Sequence, residues 1–210
     1  IHFSVDTALY SQLFYAIYLD ADGNFWTASV HDASNPKKTK SGCLVKYHYP
    51  SGKTTEYPAG KGISFASSIV LDITCDAKGN VYLLNKFGVC QLNSGSGKTS
   101  VYYSNELLPD NTYVSMELDA KNRLWLGTLT NGIVVYDIPT NKFILLKGQP
   151  TLLSNDMLMQ ASTQDDNNHL YFWDVTGINI FNANDIQFNL PQPKAIVSDI
   201  LMRGKSIIGN

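Results

Sequence analysis

Four aspartates raise the question of chemistry. Asp20, Asp76, Asp119 and Asp165 each precede an aromatic residue by six positions: Trp26, Tyr82, Trp125 and Tyr171. Asp20-Ala-Asp22-Gly23-Asn24 is spaced like the opening of a calcium loop. An EF-hand needs Glu at its twelfth position, where His31 stands, and a helix on each side. Asp165-Asp166 sets two carboxylates together, but both fall in the turn that holds the other aspartates, so a glycosidase pair is not signalled. Gly95-Ser96-Gly97-Lys98-Thr99 hints at a phosphate loop. The motif requires Gly at position 92, which is Leu92, and a following helix, where the strand-like SVYY stands instead. His2, His31, His48 and His169 show no H-x-x-x-H or H-E-x-x-H spacing, and no G-x-S-x-G elbow occurs. Cys43, Cys75 and Cys90 are odd in number and lack C-x-x-C spacing. Cys75 and Cys90 sit in apolar strand patterns and read as buried thiols. No metal site and no cofactor is therefore expected.

The elements around the aspartates repeat. LDADGNFW, CDAKGNVY, LDAKNRLW and QDDNNHLY are one pattern written four times, with spacings of 56, 43 and 46 residues. A period of about 40–50 residues with β patterning signals propeller blades. Each repeat begins with an apolar strand: Tyr15–Leu19, Val70–Cys75, Val114–Leu118 and Leu158–Thr163. After the Asp turn comes a strand carrying the aromatic (FWTAS, VYLLN, LWLGT, LYFWD). Then comes a third (CLVKYHY, GVCQL, GIVVYDI, GINIF), and in the first three repeats a fourth (TTEY, SVYY, FILL). Turns at 50–53, 95–98 and 140–142 precede the outer strand. The expected fold is all-β: a β-propeller with four four-stranded blades of a larger ring, or a small or partial propeller. The large aromatics then fill the space between neighbouring blades. The first repeat holds about ten extra residues in the polar, lysine-bearing stretch His31–Gly42, which reads as a surface loop.

Composition bounds the partners. A net charge of -2 over 210 residues offers no general attraction to nucleic acid or to an anionic membrane. The repeat pattern stops near Phe181. Pro191 and Pro193 bracket a linker, and AIVSDILMRGKSI reads as a strand and hairpin that begin something new. The expected division is 1–190 for the blades (15–69, 70–113, 114–157 and 158–190) and 191–210 for a linker and the first strand of a following domain. The chain reads as a piece of a longer protein.

These residues resemble the two-component regulator propeller repeat, whose blades read V-x-x-I-x-x-D-x-x-G-x-L-W-x-G-T-x-x-G-L-x-x-Y/F. Asp119, Leu124, Trp125, Gly127, Thr128, Gly132, Ile133 and Tyr136 fill that pattern. Leu152–Met157 resembles the G-L-P-S-N-x-V approach to a blade, with Leu152 where Gly is usual. The last repeat resembles the family's terminal blade, with Trp173 replacing a Gly and Ala183 a Pro. The stretch PKAIVSDILMRGKSI after that blade resembles the first strand of the Ig-like Y_Y_Y domain. The resemblance covers about residues 15–205. It implies a non-catalytic periplasmic sensor of a hybrid two-component histidine kinase of Bacteroidetes, part of a membrane-spanning parent. It further implies an oligosaccharide signal and control of polysaccharide-utilisation genes. A lyase- or lactonase-type propeller enzyme and a purely structural dimerisation scaffold are the alternatives.

Function on a propeller usually sits in loops on the rigid scaffold. The loops leading into the blades, Ser64–Ser68, Pro109–Tyr113 and Leu153–Asp156, offer Phe65, Asp110, Asn111, Tyr113, Asn155 and Asp156. Rings with Asn and Asp acceptors suit a neutral sugar. Open blade edges invite self-association, with a homodimer as the expected form.

Overall fold

The structure is a computed structural model. It describes residues 13–30, 43–58, 69–85, 88–93, 95–96, 98–104, 112–146, 152–186, 201–202 and 205–206. Three four-stranded antiparallel sheets and one three-stranded sheet succeed one another in chain order. Blade 1 holds β1 (Leu13–Leu19), β2 (Asn24–Val30), β3 (Cys43–His48) and β4 (Lys53–Pro58). Blade 2 holds β5 (Val70–Cys75), β6 (Asn80–Asn85), β7 (Gly88–Asn93) and β8 (Thr99–Ser104). Blade 3 holds β9 (Tyr113–Leu118), β10 (Arg123–Thr128), β11 (Ile133–Asp137) and β12 (Lys142–Leu146). Blade 4 holds β13 (Met157–Gln164), β14 (His169–Asp174) and β15 (Ile178–Asn182), then a short 3-10 helix, Ala183–Asp185. Two residue pairs, β16 (Leu201–Met202) and β17 (Lys205–Ser206), form a separate hairpin.

Every strand pairs with its sequence neighbour, so each blade is a simple meander. The propeller fold expected from the repeats is present, with one correction. Blade 4 has three strands among its described residues, and β15 runs directly into the 3-10 helix Ala183–Asp185.

The repeated aspartate closes the turn after each first strand. Its Oδ1 accepts backbone N–H groups two and four residues on, as from Asp22 and Asn24 to Asp20 and from Lys121 and Arg123 to Asp119. The residue three after the Asp needs positive φ: 77° at Gly23, 78° at Gly79, 58° at Asn122 and 65° at Asn168. Only Gly and Asn adopt that geometry cheaply, which is why the pattern alternates between them.

Three apolar clusters lie between successive blades. Trp26, Ala28 and Leu44 of blade 1 pack on Ile73, Leu83 and Leu92 of blade 2. Tyr82 and Leu84 of blade 2 meet Met116, Leu124 and Val134 of blade 3. Trp125, Ile133 and Val135 of blade 3 meet Leu170, Phe172 and Phe181 of blade 4. The repeat aromatic thus packs on the next blade each time. Trp26, Tyr82 and Trp125 are almost wholly buried; Tyr171 of blade 4 is partly exposed, with no further blade among the described residues.

Candidate functional site

The repeated aspartates are consumed by their own turns. The second carboxylate oxygen of each accepts from the aromatic six residues on. Trp26 Nε1 donates to Asp20 at 2.7 Å, Trp125 Nε1 to Asp119 at 2.9 Å, and the Tyr171 hydroxyl to Asp165 at 3.0 Å. The Tyr82 hydroxyl stands 3.4 Å from Asp76. The spacing of six therefore places the aromatic head group on the carboxylate while its rings fill the blade interface. Bonds from His169, Tyr171 and Asn167 hold the Asp165 carboxyl down at about 2, against the opposing cost of desolvation. Asp174 is buried, which opposes its charge. Bonds from Thr176, Asn179 and Gly177 prevail and also hold it at about 2.

The position four after the repeat Asp varies: Asn24, Asn80, Arg123 and His169. In blade 3 this gives a buried ion pair, Arg123 Nε to Asp119 Oδ2 at 2.6 Å. The same guanidinium donates to the carbonyls of Ile186 and Ala183 and so fastens blade 3 to the segment that ends blade 4.

The carboxyls that differ from this pattern lie where the first strands converge. β1 lies beside β5, β5 beside β9, and β9 beside β13; β13 also reaches β5. The first strand of each blade leaves one edge unpaired within its sheet, and polar side chains from neighbouring blades occupy these edges. Met116 N–H donates to Asp72 Oδ2 at 2.8 Å, and Ile73 N–H to Asp72 Oδ1 at 2.9 Å. Gln160 Nε2 of blade 4 donates to the Leu71 carbonyl of blade 2 at 2.8 Å. Ser162 of blade 4 stands beside Glu117 with its buried hydroxyl lacking a hydrogen-bond partner among the described residues, and Thr74 of blade 2 stands beside Tyr18 of blade 1. Burial pushes Asp72 up to about 6, against the pull of its two N–H donors. Burial and the Asp72 charge push Glu117 up to about 7. Burial likewise raises Tyr18.

The surface loops look different from the sequence expectation. Phe65, Asp110 and Asn111 lie outside the described residues, as does the polar stretch 31–42. Tyr113 is 1% exposed and packs with Tyr82, Leu84 and Met116, so its ring serves the blade 2–blade 3 interface and offers no surface for a sugar. It begins β9 and falls on the buried face because Thr128 of β10 pairs with it across a bulge. Asn155 and Asp156 do lie in the loop before β13, the former half-buried and the latter exposed. The Asn155 carbonyl accepts from Gly132 N–H at 2.8 Å, and Asp156 N–H donates to Ser154 Oγ at 3.1 Å. Gly132 has φ 77°, and a Cβ there would meet the Leu146 carbonyl, so the repeat's second Gly is fixed by this close approach.

Sequence reading missed Asp72, Glu117 and Gln160. The available signal was an acid inside an apolar first strand ahead of the repeat Asp, in VLDITC and YVSMEL. Cys75 and Cys90 are free thiols, pushed by burial to about 12 and about 11. Trp173 is half-buried on the face of β14 that carries Tyr171. Among the described residues no three His, Cys, Asp or Glu side chains gather to hold a metal, and no helix is long and apolar enough to cross a membrane.

A profile of the Two component regulator propeller family matches residues 107–130, the first two strands of blade 3. Over 97 residues, 46% of this chain, the sequence is 27% identical to histidine kinase P4 of Formosa agariphila. The fold matches the extracellular domain of a hybrid two-component system of B. thetaiotaomicron, with a TM-score of 0.65 and 20% identity over 99% of this chain. It also matches PorZ, a surface component of the type-IX secretion system of Porphyromonas gingivalis, with a TM-score of 0.58 and 14% identity over 81% of this chain. This chain spans 7% of the kinase, 28% of the first structure and 26% of the second. The turn aspartates, the inter-blade aromatics and the structural matches agree: the chain is a run of β-propeller blades, and residues 107–130 of its third blade match the two-component regulator propeller repeat.

Proposed function

We propose that these blades belong to the extracytoplasmic, non-catalytic input region of a hybrid two-component histidine kinase, and that the input is an oligosaccharide. The carrying observation is the match of residues 107–130 to the regulator propeller family. The shared fold with an extracellular domain of a hybrid two-component system supports it. In this reading the parent spans the inner membrane, its sensor faces the periplasm, and its output is the expression of polysaccharide-utilisation genes. Residues 1–190 are the blades, and the hairpin of β16 and β17 opens the Ig-like Y_Y_Y domain that passes the signal on. Self-association belongs to the same proposal. Ile17 on β1 is 73% exposed and Ile180 on β15 is 62% exposed, so the outer faces of the first and last blades carry apolar side chains suited to pairing.

A thermal-shift screen of the chain against plant, host and microbial oligosaccharides tests this reading. A ligand at 100 times its Kd stabilises by about 2.7 kcal/mol. Stabilisation by a defined sugar, lost on changing Asn155 and Asp156, is the expected result; a flat response across the panel removes recognition from these blades. One observation favours an enzyme instead: two carboxyls with raised pKa, Asp72 and Glu117, converge between blades. Product release from any sugar in the panel, abolished by Glu117→Gln, would replace the sensor reading with that one.

A further inference from the structure

The strand β13 is longer than its counterparts. Thr128 pairs with Tyr113, six residues before Asp119, and Asn85 with Val70, six before Asp76. In blade 4 the equivalent Asp174 pairs with Met157, eight before Asp165. The two extra residues bow out between Met157 and Ser162, where the register breaks. Gln160 takes φ 54° in this bulge, a left-handed conformation that a side chain disfavours. The bulge carries Gln160 past blade 3 to the Leu71 carbonyl of blade 2, next to Asp72. Asp72 in turn holds the amide of Met116, next to Glu117, and Ser162 at the far end of the bulge stands beside Glu117 with its hydroxyl buried and without a hydrogen-bond partner among the described residues. Asp72 thus ties blade 2 to blade 3, and the irregular strand ties blade 4 to blade 2, with Glu117 standing beside these joints.

We propose that Asp72, Glu117 and the bulge of β13 form a proton-operated clasp between blades 2, 3 and 4, closed while the carboxyl pair holds a proton and loosened when both groups ionise. Asp72 serves as the anion, because it accepts two backbone N–H bonds. Glu117 serves as the protonated member beside the Ser162 hydroxyl. The groups that face the pair do not neutralise a second charge. β1 brings the Tyr18 phenol, whose ionisation Glu117 opposes, and β13 brings the neutral Ser162 and Gln160. No cationic side chain among the described residues contributes to the electrostatics of either carboxyl. Ionising both places two like charges side by side at a partly buried joint with no cation among the described residues between them, where each raises the cost of the other. The bulge is the part that can yield, since its backbone is already in a disfavoured conformation.

Acid favours the closed clasp. Both carboxyls titrate higher in the folded chain than their ordinary values of 3.8 and 4.5, at about 6 and about 7. Between those values the folded chain keeps protons that the unfolded chain has shed. Stability is therefore fully present at the acidic end of the window and is lost as pH rises through about 7, by at most about tenfold in the folded-to-unfolded ratio per pH unit for each group.

Urea unfolding of the chain from pH 4.5 to 8 tests the clasp, in wild type and in Glu117→Gln. The wild type should lose stability up to about pH 7 and then level off. Glu117→Gln cannot ionise, so its folded-to-unfolded ratio should gain on the wild type by about tenfold or more between pH 5 and pH 8. Parallel pH profiles for the two proteins would overturn the proposal. Amide hydrogen exchange in the wild type gives an answer that needs no variant. Protection at Met116, corrected for the intrinsic rate, should fall about tenfold from pH 5.5 to pH 8; unchanged protection would also overturn it.

Discussion

Blades 3 and 4 carry nearly the same strand pattern in different surroundings. Ile133 and Val135 on β11 are 0% exposed, while Ile178 and Ile180 at the matching places on β15 are 44% and 62% exposed. Trp125 is sealed between blades; Tyr171 keeps its bond to the turn Asp and is left partly open. The turn is thus a local structure that forms in either setting, whereas burial of the blade face depends on the next sheet. A propeller stacks sheets that cannot bury both faces alone. The two blades also differ in how they hold the repeat Asp: a buried Arg in one, a half-exposed His in the other.

The largest expected contrast is at the aromatic position. Trp125→Ala should cost about 3–5 kcal/mol by emptying the blade 3–blade 4 interface, and Tyr171→Ala should cost a small fraction of that. Urea denaturation of both variants measures it, and equal losses would show that blade 4 is packed as blade 3 is. Next comes the fourth position of the turn. Arg123→Ala should cost about 3 kcal/mol, because it leaves the buried Asp119 charge without its cation and the Ala183 and Ile186 carbonyls without their donor. His169→Ala should be much milder, since its partner is open to water. Calorimetry of the two variants decides this, and a mild Arg123→Ala would mean that water enters the joint between Arg123 and Ala183.

The smallest contrast lies in acid. Asp174 occupies the place of Thr128 and titrates at about 2, below its ordinary 3.8. A depressed carboxyl contributes stability above the unfolded value, and that contribution is lost as pH falls from about 4 towards 2. Asp174→Thr should therefore soften the acid transition of the chain while leaving the slope of stability between pH 5 and 8 as in the wild type. An unchanged acid midpoint would assign that transition to other groups, such as Asp165.

The repeat and its strands were legible because each turn is a local device. One Asp, one Gly or Asn and one aromatic at fixed spacing satisfy each other within eight residues. The same locality explains why the calcium-like and phosphate-like motifs could be set aside: Asp20 binds its own turn, and Asn93 Oδ1 accepts from Ser96 N–H in the β7–β8 turn. The surface residues were less legible. Tyr113 reads as a loop aromatic, yet a bulge pairing with Thr128 turns it inward.

By itself the sequence determined the all-β repeat, the order of the strands and the identity of the turn residues, since these rest on contacts between near neighbours in the chain. Only the tertiary structure decided that Asp72, Glu117, Gln160 and Ser162 meet. They lie as far as 90 residues apart, and strand periodicity says which face a side chain takes but not which blade stands opposite it.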